Sequence, residues 1–210
     1  MRQDDKGTAP KAAHGTAMAQ MERLADFCNE VGMLRHTPRS GYAFLGSGGE
    51  SVAEHSYRVA VLGFLLARRA GADAARVTWL CLFHDLHEAR TGDLNYMNQR
   101  YGSCRAREAL EDCLDGTGLE EEVLGFWDEL EGGASLEATL ARDADQLDFI
   151  CNLKEELDKG NRFALQWLDS ARKRLKTPQA REIADAVLQA DHNRWWYGYV
   201  DPRWWVDRRR

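Results

Sequence analysis

The sequence predicts an all-α protein. Apolar residues recur at helical spacing through most of the chain, and the segments they define open and close on residues that cap helices. No run alternates apolar with polar residues as a half-buried strand would. The 210 residues carry no repeat of fixed period and fit one domain with terminal elaborations.

The elements follow in order. Residues 1–17 are rich in Ala, Gly, Thr and charge, without periodicity, and are expected to form a flexible tail. Met18, Met21, Leu24, Phe27, Cys28 and Val31 mark a first amphipathic helix. Pro38 and glycines 41, 46, 48 and 49 make the next stretch, to Glu50, an irregular loop. Ser51 with Glu54 is a capping box, opening a helix that runs to Ala70 and stops at Gly71. Asp73 caps the next helix; its apolar face (Val77, Leu80, Cys81, Leu86) carries it to about Arg90, where Thr91-Gly92-Asp93 breaks it. Shorter helices are expected over roughly 104–115 and 119–131, and Gly132-Gly133 separates them from a long one over about 135–158. Another covers roughly 162–175, and Thr177-Pro178 opens a last helix to about Asn193. The domain therefore spans 18–193, and 194–210 is an aromatic and basic extension.

Composition narrows the class. Hydrophobic residues at 44% and charged residues at 30% suit a packed domain. A net charge of −6 argues against a duplex-DNA binder but leaves room for a small phosphorylated substrate in a local positive pocket. The five cysteines form no C-x-x-C pair and suit free thiols in a reducing compartment. The longest apolar run, Val59 to Ala67, is too short to span a bilayer, and the first residues lack a secretory h-region. A cytoplasmic protein without a membrane partner is expected.

The chemistry concentrates in Cys81-Leu82-Phe83-His84-Asp85-Leu86-His87-Glu88. A carboxylate late in an apolar helix is costly without a partner. A divalent cation shared with His55 of the preceding helix supplies one, and Asp145 in the long helix is available as a fourth ligand. Two imidazoles and two carboxylates suit Mn, Co, Fe, Ni or Zn better than Ca. His84 and Glu88, four residues apart, are expected on one helix face. His87 is read as peripheral, Asp143 as solvent-facing, and Asp148 as a surface carboxylate in preference to a contact for a substrate hydroxyl.

His55, His84-Asp85 and Asp145 in that order resemble the H…HD…D signature of the HD-domain metal-dependent phosphohydrolases. Glu50-Ser51-Val52-Ala53-Glu54-His55-Ser56, His84-Asp85-x-x-Glu88 and Thr91-Gly92-Asp93-Leu94 are similar to its 5′-deoxynucleotidase and HDDC-like branch. Pro38-Arg39-Ser40-Gly41-Tyr42 adds to the likeness, which covers residues 20–175. The resemblance implies a helical bundle with one divalent ion at its centre, held by His55, His84, Asp85 and Asp145. It implies Glu88 as acid/base residue, Asp93 as its assistant or the orienter of water, and Arg39 as phosphate ligand. Tyr42 stands where the branch has Trp, so the contact made there is open. Expected substrates are (deoxy)nucleoside 5′-monophosphates, and a homodimer is a further family expectation.

Other readings stay in view. The same site could act on a triphosphate, a cyclic nucleotide or a phosphorylated metabolite, or the metal could only stabilise a binding module. The extension carries Trp195, Trp196, Tyr197, Tyr199, Trp204 and Trp205 among Arg194, Arg203 and Arg208 to Arg210. Such interleaving can stack single-stranded nucleic acid, but packing or dimerisation is the favoured use.

Overall fold

The computed structural model describes residues 11–198 and 200–207. It is all-α: α1 (Lys11–Met33), α2 (Tyr42–Leu45), α3 (Val52–Ala70), α4 (Ala74–Phe83), α5 (Glu88–Thr91), α6 (Tyr96–Tyr101), α7 (Ala106–Leu114), α8 (Glu120–Gly132), α9 (Leu136–Asp158), α10 (Ala164–Arg174), α11 (Pro178–Gln189), α12 (Arg194–Tyr197) and α13 (Pro202–Asp207). The only β feature among the described residues is an isolated antiparallel bridge between Pro38 and Ser51, which closes the glycine-rich loop at its base.

Helices α3, α4 and α9 form the centre. Val52, Val59 and Leu66 recur every seven residues on α3 and are fully buried. They meet Val77 and Leu80 of α4, and Leu140, Ala144, Leu147 and Ile150 of α9, in one apolar core. Each buried Val, Leu or Ile side chain among them stabilises the fold by about 1.5–3 kcal/mol. Gly63 sets the α3–α4 spacing: a Cβ there would lie 2.5 Å from Cys81 Sγ and 3.1 Å from Val77 Cγ1. Helix α10 packs across α9, and α8 and α11 flank the centre.

The expected N-caps are in place. Ser51 and Glu54 form the reciprocal capping box, Asp73 accepts from the Arg76 N–H, and Thr177 caps α11 with Pro178 at its first position.

Several boundaries differ from the sequence reading. Helix α1 begins at Lys11, inside the stretch 1–17 read as a tail, because alanines 12, 13, 17 and 19 favour propagation of a turn once the apolar face has nucleated it; residues 1–10 lie outside the described residues. The helix expected over 73–90 is two pieces. His84 Nδ1 bonds the Cys81 carbonyl at 2.7 Å, competing for the acceptor that would take the Asp85 N–H. The turn that follows is tightened by Leu86 N to Phe83 O and Glu88 N to Asp85 O bonds. Helix α6 was not expected, although Asn95 caps it by accepting from the N–H groups of Met97 and Asn98. Helix α11 ends at Gln189, and α12 and α13 lie in the extension.

Asp143 is not solvent-facing. It is buried and accepts from the N–H groups of Lys176 and Thr177 and from the Thr177 hydroxyl, so three donors offset its burial.

Candidate metal centre

The α3 capping box starts the helix at Val52, placing His55 on the first turn with its ring buried against α9. Its Nδ1 lies 2.6 Å from Asp148 Oδ2. A carboxylate accepts only, so Nδ1 carries the proton and Nε2 presents a lone pair. His84 repeats the arrangement, with Nδ1–H donated to the Cys81 carbonyl. The two rings stand 5.3 Å apart, centroid to centroid.

Both Nε2 atoms face carboxylates. His55 Nε2 is 3.2 Å from Asp145 Oδ1 and 3.6 Å from Asp85 Oδ2, and His84 Nε2 is 3.0 Å from Asp85 Oδ2. Despite these distances, each Nε2 is buried and makes no well-directed hydrogen bond among the described residues. Lone pairs directed at carboxylates repel unless a positive charge lies between them. His55, His84 and Asp145 offer ligand atoms within 4.8 Å of one another. The donor set, the orphaned nitrogens and the fixed tautomers all fit a divalent cation.

Electrostatics agree. Burial opposes a charged imidazole, but Asp145 and Asp148 outweigh it and push His55 up to about 10, the response of a site short of positive charge. Asp85 is held well below the usual carboxylate range, because His84 and Arg39 outweigh its desolvation. Asp145 is lowered likewise, burial being overcome chiefly by His55.

Glu50, His55 and Asp148 also lie within ligand distance of one another, but other donors already engage this group. Arg58 bonds Asp148 through Nε and reaches Glu50, and Asn152 donates to both carboxylates. Asp148 is thus fully buried at the far side of His55, which corrects its reading as a surface carboxylate. Arg58, one turn after His55 on α3, and the one-turn spacing of Asp145 and Asp148 on α9 are signals that could have placed it.

A cavity of about 580 Å³ opens beside the His–Asp cluster, lined by Arg39, Tyr42, His84, Asp85, Glu88, Asp93 and Asp145 among others. Arg39 Nη1 lies 3.2 Å from Asp85 Oδ2, and its Nε 3.8 Å from Asp93 Oδ2. Asp93 also accepts the Ser40 N–H at 2.8 Å, tying the Arg39 loop to the turn after α5. Burial, then Asp85 and Asp93, push the Glu88 carboxyl up to about 9, and its Oε2 has no hydrogen-bond partner among the described residues. The expected one-face relation of His84 and Glu88 fails because α4 ends at Phe83; the turn brings both to the cavity instead. Tyr42, on the single turn α2, also lines it, and its phenol is kept protonated by burial and by Glu50.

All eight sequence-predicted residues therefore converge on one place, with His55 as the buried wall behind the cluster. Gln146, Phe149 and Trp167 are among the lining residues that the sequence analysis did not single out. His87 lies aside, its ring edge-on to Trp127 at 4.9 Å.

A family model described as HD domain matches residues 31–187. A Xenopus laevis protein named 5′-deoxynucleotidase HDDC2 is 27% identical over 85% of this chain and 92% of its own length. The human protein of that name is 30% identical over 64% of this chain and 69% of its own. Among solved structures, a conserved hypothetical protein from Pyrococcus furiosus superposes with a TM-score of 0.64 at 30% identity, covering 79% of this chain and 99% of its own.

Proposed function

The chain belongs to the HD domain family, and on that premise we propose that it is a metal-dependent phosphohydrolase releasing phosphate from (deoxy)nucleoside 5′-monophosphates. The observation that carries the reading is the pair of Nδ1-protonated imidazoles turning orphaned Nε2 atoms towards Asp85 and Asp145 beside a cavity that holds Arg39. The names of the relatives, 5′-deoxynucleotidases, support the substrate class.

His55, His84, Asp85 and Asp145 would hold one divalent ion, with Mn, Co, Fe, Ni and Zn all compatible with the donors. When bound, such an ion polarises a phosphoryl oxygen and acidifies water. The protein does the rest. Arg39 binds two phosphate oxygens in a fork, set at the cavity by Asp85 and Asp93. Glu88 carries a proton at a carboxyl oxygen and exchanges it with the leaving alkoxide and the attacking water. Asp93 holds Arg39 and orients the water. Tyr42 bounds the substrate beside Arg39.

The domain arrangement we infer is a catalytic body to residue 193, followed by the 194–210 extension. In that extension Trp196, Tyr197, Trp204 and Trp205 pack against one another, mostly edge to face, which supports packing over nucleic-acid binding; Tyr199 and residues 208–210 lie outside the described residues. A homodimer is supported by Tyr57, Val61 and Phe64, an exposed apolar stripe on α3 at helical spacing. The free cysteines support a reducing, cytoplasmic setting, and among the described residues no helix is long and apolar enough to cross a membrane.

The test is a phosphate-release screen of purified protein against nucleotides, with several divalent ions and a chelator control. Release from deoxynucleoside monophosphates supports the reading. Pyrophosphate or triphosphate release, or ring opening of a cyclic nucleotide, moves the chain to another phosphohydrolase class. No product with any ion leaves a metal-stabilised binding module.

A further inference from the structure

The cavity has two chemistries. One group of lining residues surrounds the His–Asp cluster. The other is apolar and aromatic: Phe44, Leu94, Tyr96, Met97, Phe149 and Trp167. Helix α9 joins them, since Phe149 lies four residues after Asp145, one turn or about 6 Å along the same face. Trp167 of α10 packs on Phe149 with ring centroids 6.1 Å apart. Arg174 links Tyr96 to this wall: it bonds the Tyr96 hydroxyl, and its guanidinium carbon stands 5.5 Å from the Tyr96 ring and 5.8 Å from that of Phe149.

Gln146, next to Asp145 on α9, also lines the cavity. Its amide nitrogen donates to Asp145 Oδ2 at 2.9 Å. A carboxylate takes only donors, so the orientation of the amide is fixed and the other atom is the carbonyl oxygen. That Oε1 is buried and has no hydrogen-bond partner among the described residues. An orphaned acceptor is unfavourable and calls for a donor.

We propose that Gln146 Oε1 accepts a hydrogen bond from the 3′-hydroxyl of a 2′-deoxynucleotide, and that Phe149 and Trp167 form the wall on which its base stacks. This rests on the phosphohydrolase reading above and assigns the part of the substrate beyond the phosphate. A pentose bridges one helical turn between a phosphate beside Asp145 and a base at Phe149. In a 2′-deoxynucleoside 5′-monophosphate the 3′-hydroxyl is the one free pentose donor.

The experiment compares kcat/KM of the metal-loaded protein for three compounds: a 2′-deoxynucleoside 5′-monophosphate, its 2′,3′-dideoxy analogue and 2-deoxyribose 5-phosphate. The wild type should disfavour the dideoxy analogue by about tenfold or more, because the acceptor is left unpaired. Gln146→Leu should bring that ratio below about threefold, with metal content measured alongside because Asp145 loses a donor. Trp167→Ala should cut the preference for the nucleotide over the sugar phosphate about tenfold, the loss of one stacking surface. The wild-type substrate comparison stands even if a variant fails to fold. Equal efficiency on all three compounds would overturn this proposal and leave the phosphohydrolase reading intact. Release from none of them, with any divalent ion, would overturn that reading itself and this proposal with it.

Discussion

Asp148 accepts the Nδ1 proton of His55 across 2.6 Å with neither residue open to solvent, and Arg58 holds the other oxygen of the same carboxylate. The pair fixes which imidazole nitrogen turns towards Asp85 and Asp145. Asp148→Asn should break that control. His55, Arg58 and Asn152 all donate to the carboxylate, and an amide offers one oxygen only; with that oxygen turned to Arg58, its NH₂ group would face Nδ1 and move the ring proton to Nε2. Apparent metal affinity should fall by about 10–100-fold with helical content unchanged. Competition with a fluorescent chelator reads the affinity; an unaltered value would remove Asp148 from the support of the site.

Asp85→Ala removes a carboxylate that faces both imidazoles and Arg39. The variant should stay folded and helical yet lose metal retention and phosphate release together. Elemental analysis after gel filtration, beside circular dichroism, checks it. Metal retained at one ion per chain would take Asp85 out of the ligand set.

Glu129 ties three helices together: it pairs with Arg76 of α4 and accepts from Ser135, the cap of α9. Burial raises its pKa, but Ser135 and then Arg76 outweigh that and hold it below the ordinary value. A depressed folded-state pKa means the stability is fully present above the unfolded value of about 4.3 and is lost as pH falls through the folded one. Glu129→Gln should therefore melt below the wild type at pH 7, with the two curves converging as pH drops beneath about 4. A constant Tm gap down to pH 2 would contradict the linkage.

Gly63→Ala should destabilise by about 1–3 kcal/mol, because the added methyl meets Cys81 and Val77 where α3 and α4 approach closely. Gly63→Ala combined with Cys81→Ala should recover much of that loss. Urea unfolding of the four proteins measures it, and strict additivity would show that the contact is not the cause.

Fold class was legible because it rests on local pattern, whereas the residues of the His–Asp cluster were singled out by their likeness to a family motif. The Ser51, Asp73 and Thr177 caps, and apolar positions such as Val52, Val59 and Leu66, can be read one turn at a time. What escaped depends on contacts between distant segments. The break after Phe83 comes from the His84 side chain competing for a backbone acceptor, which apolar periodicity does not register. Asp143 and Asp148 read as surface acids until Thr177 and Arg58 are seen to meet them. The aromatic wall of Phe149 and Trp167 joins helices whose mutual packing no spacing rule predicts.

The central claim is tested most directly by adding a divalent ion to chelator-stripped protein and following phosphate release from a 2′-deoxynucleoside 5′-monophosphate, with Asp145→Ala alongside. Activity that rises from the stripped baseline and saturates at one ion per chain, and is absent in the variant, is the predicted result. Full release by the stripped protein, or undiminished release by Asp145→Ala, would contradict it.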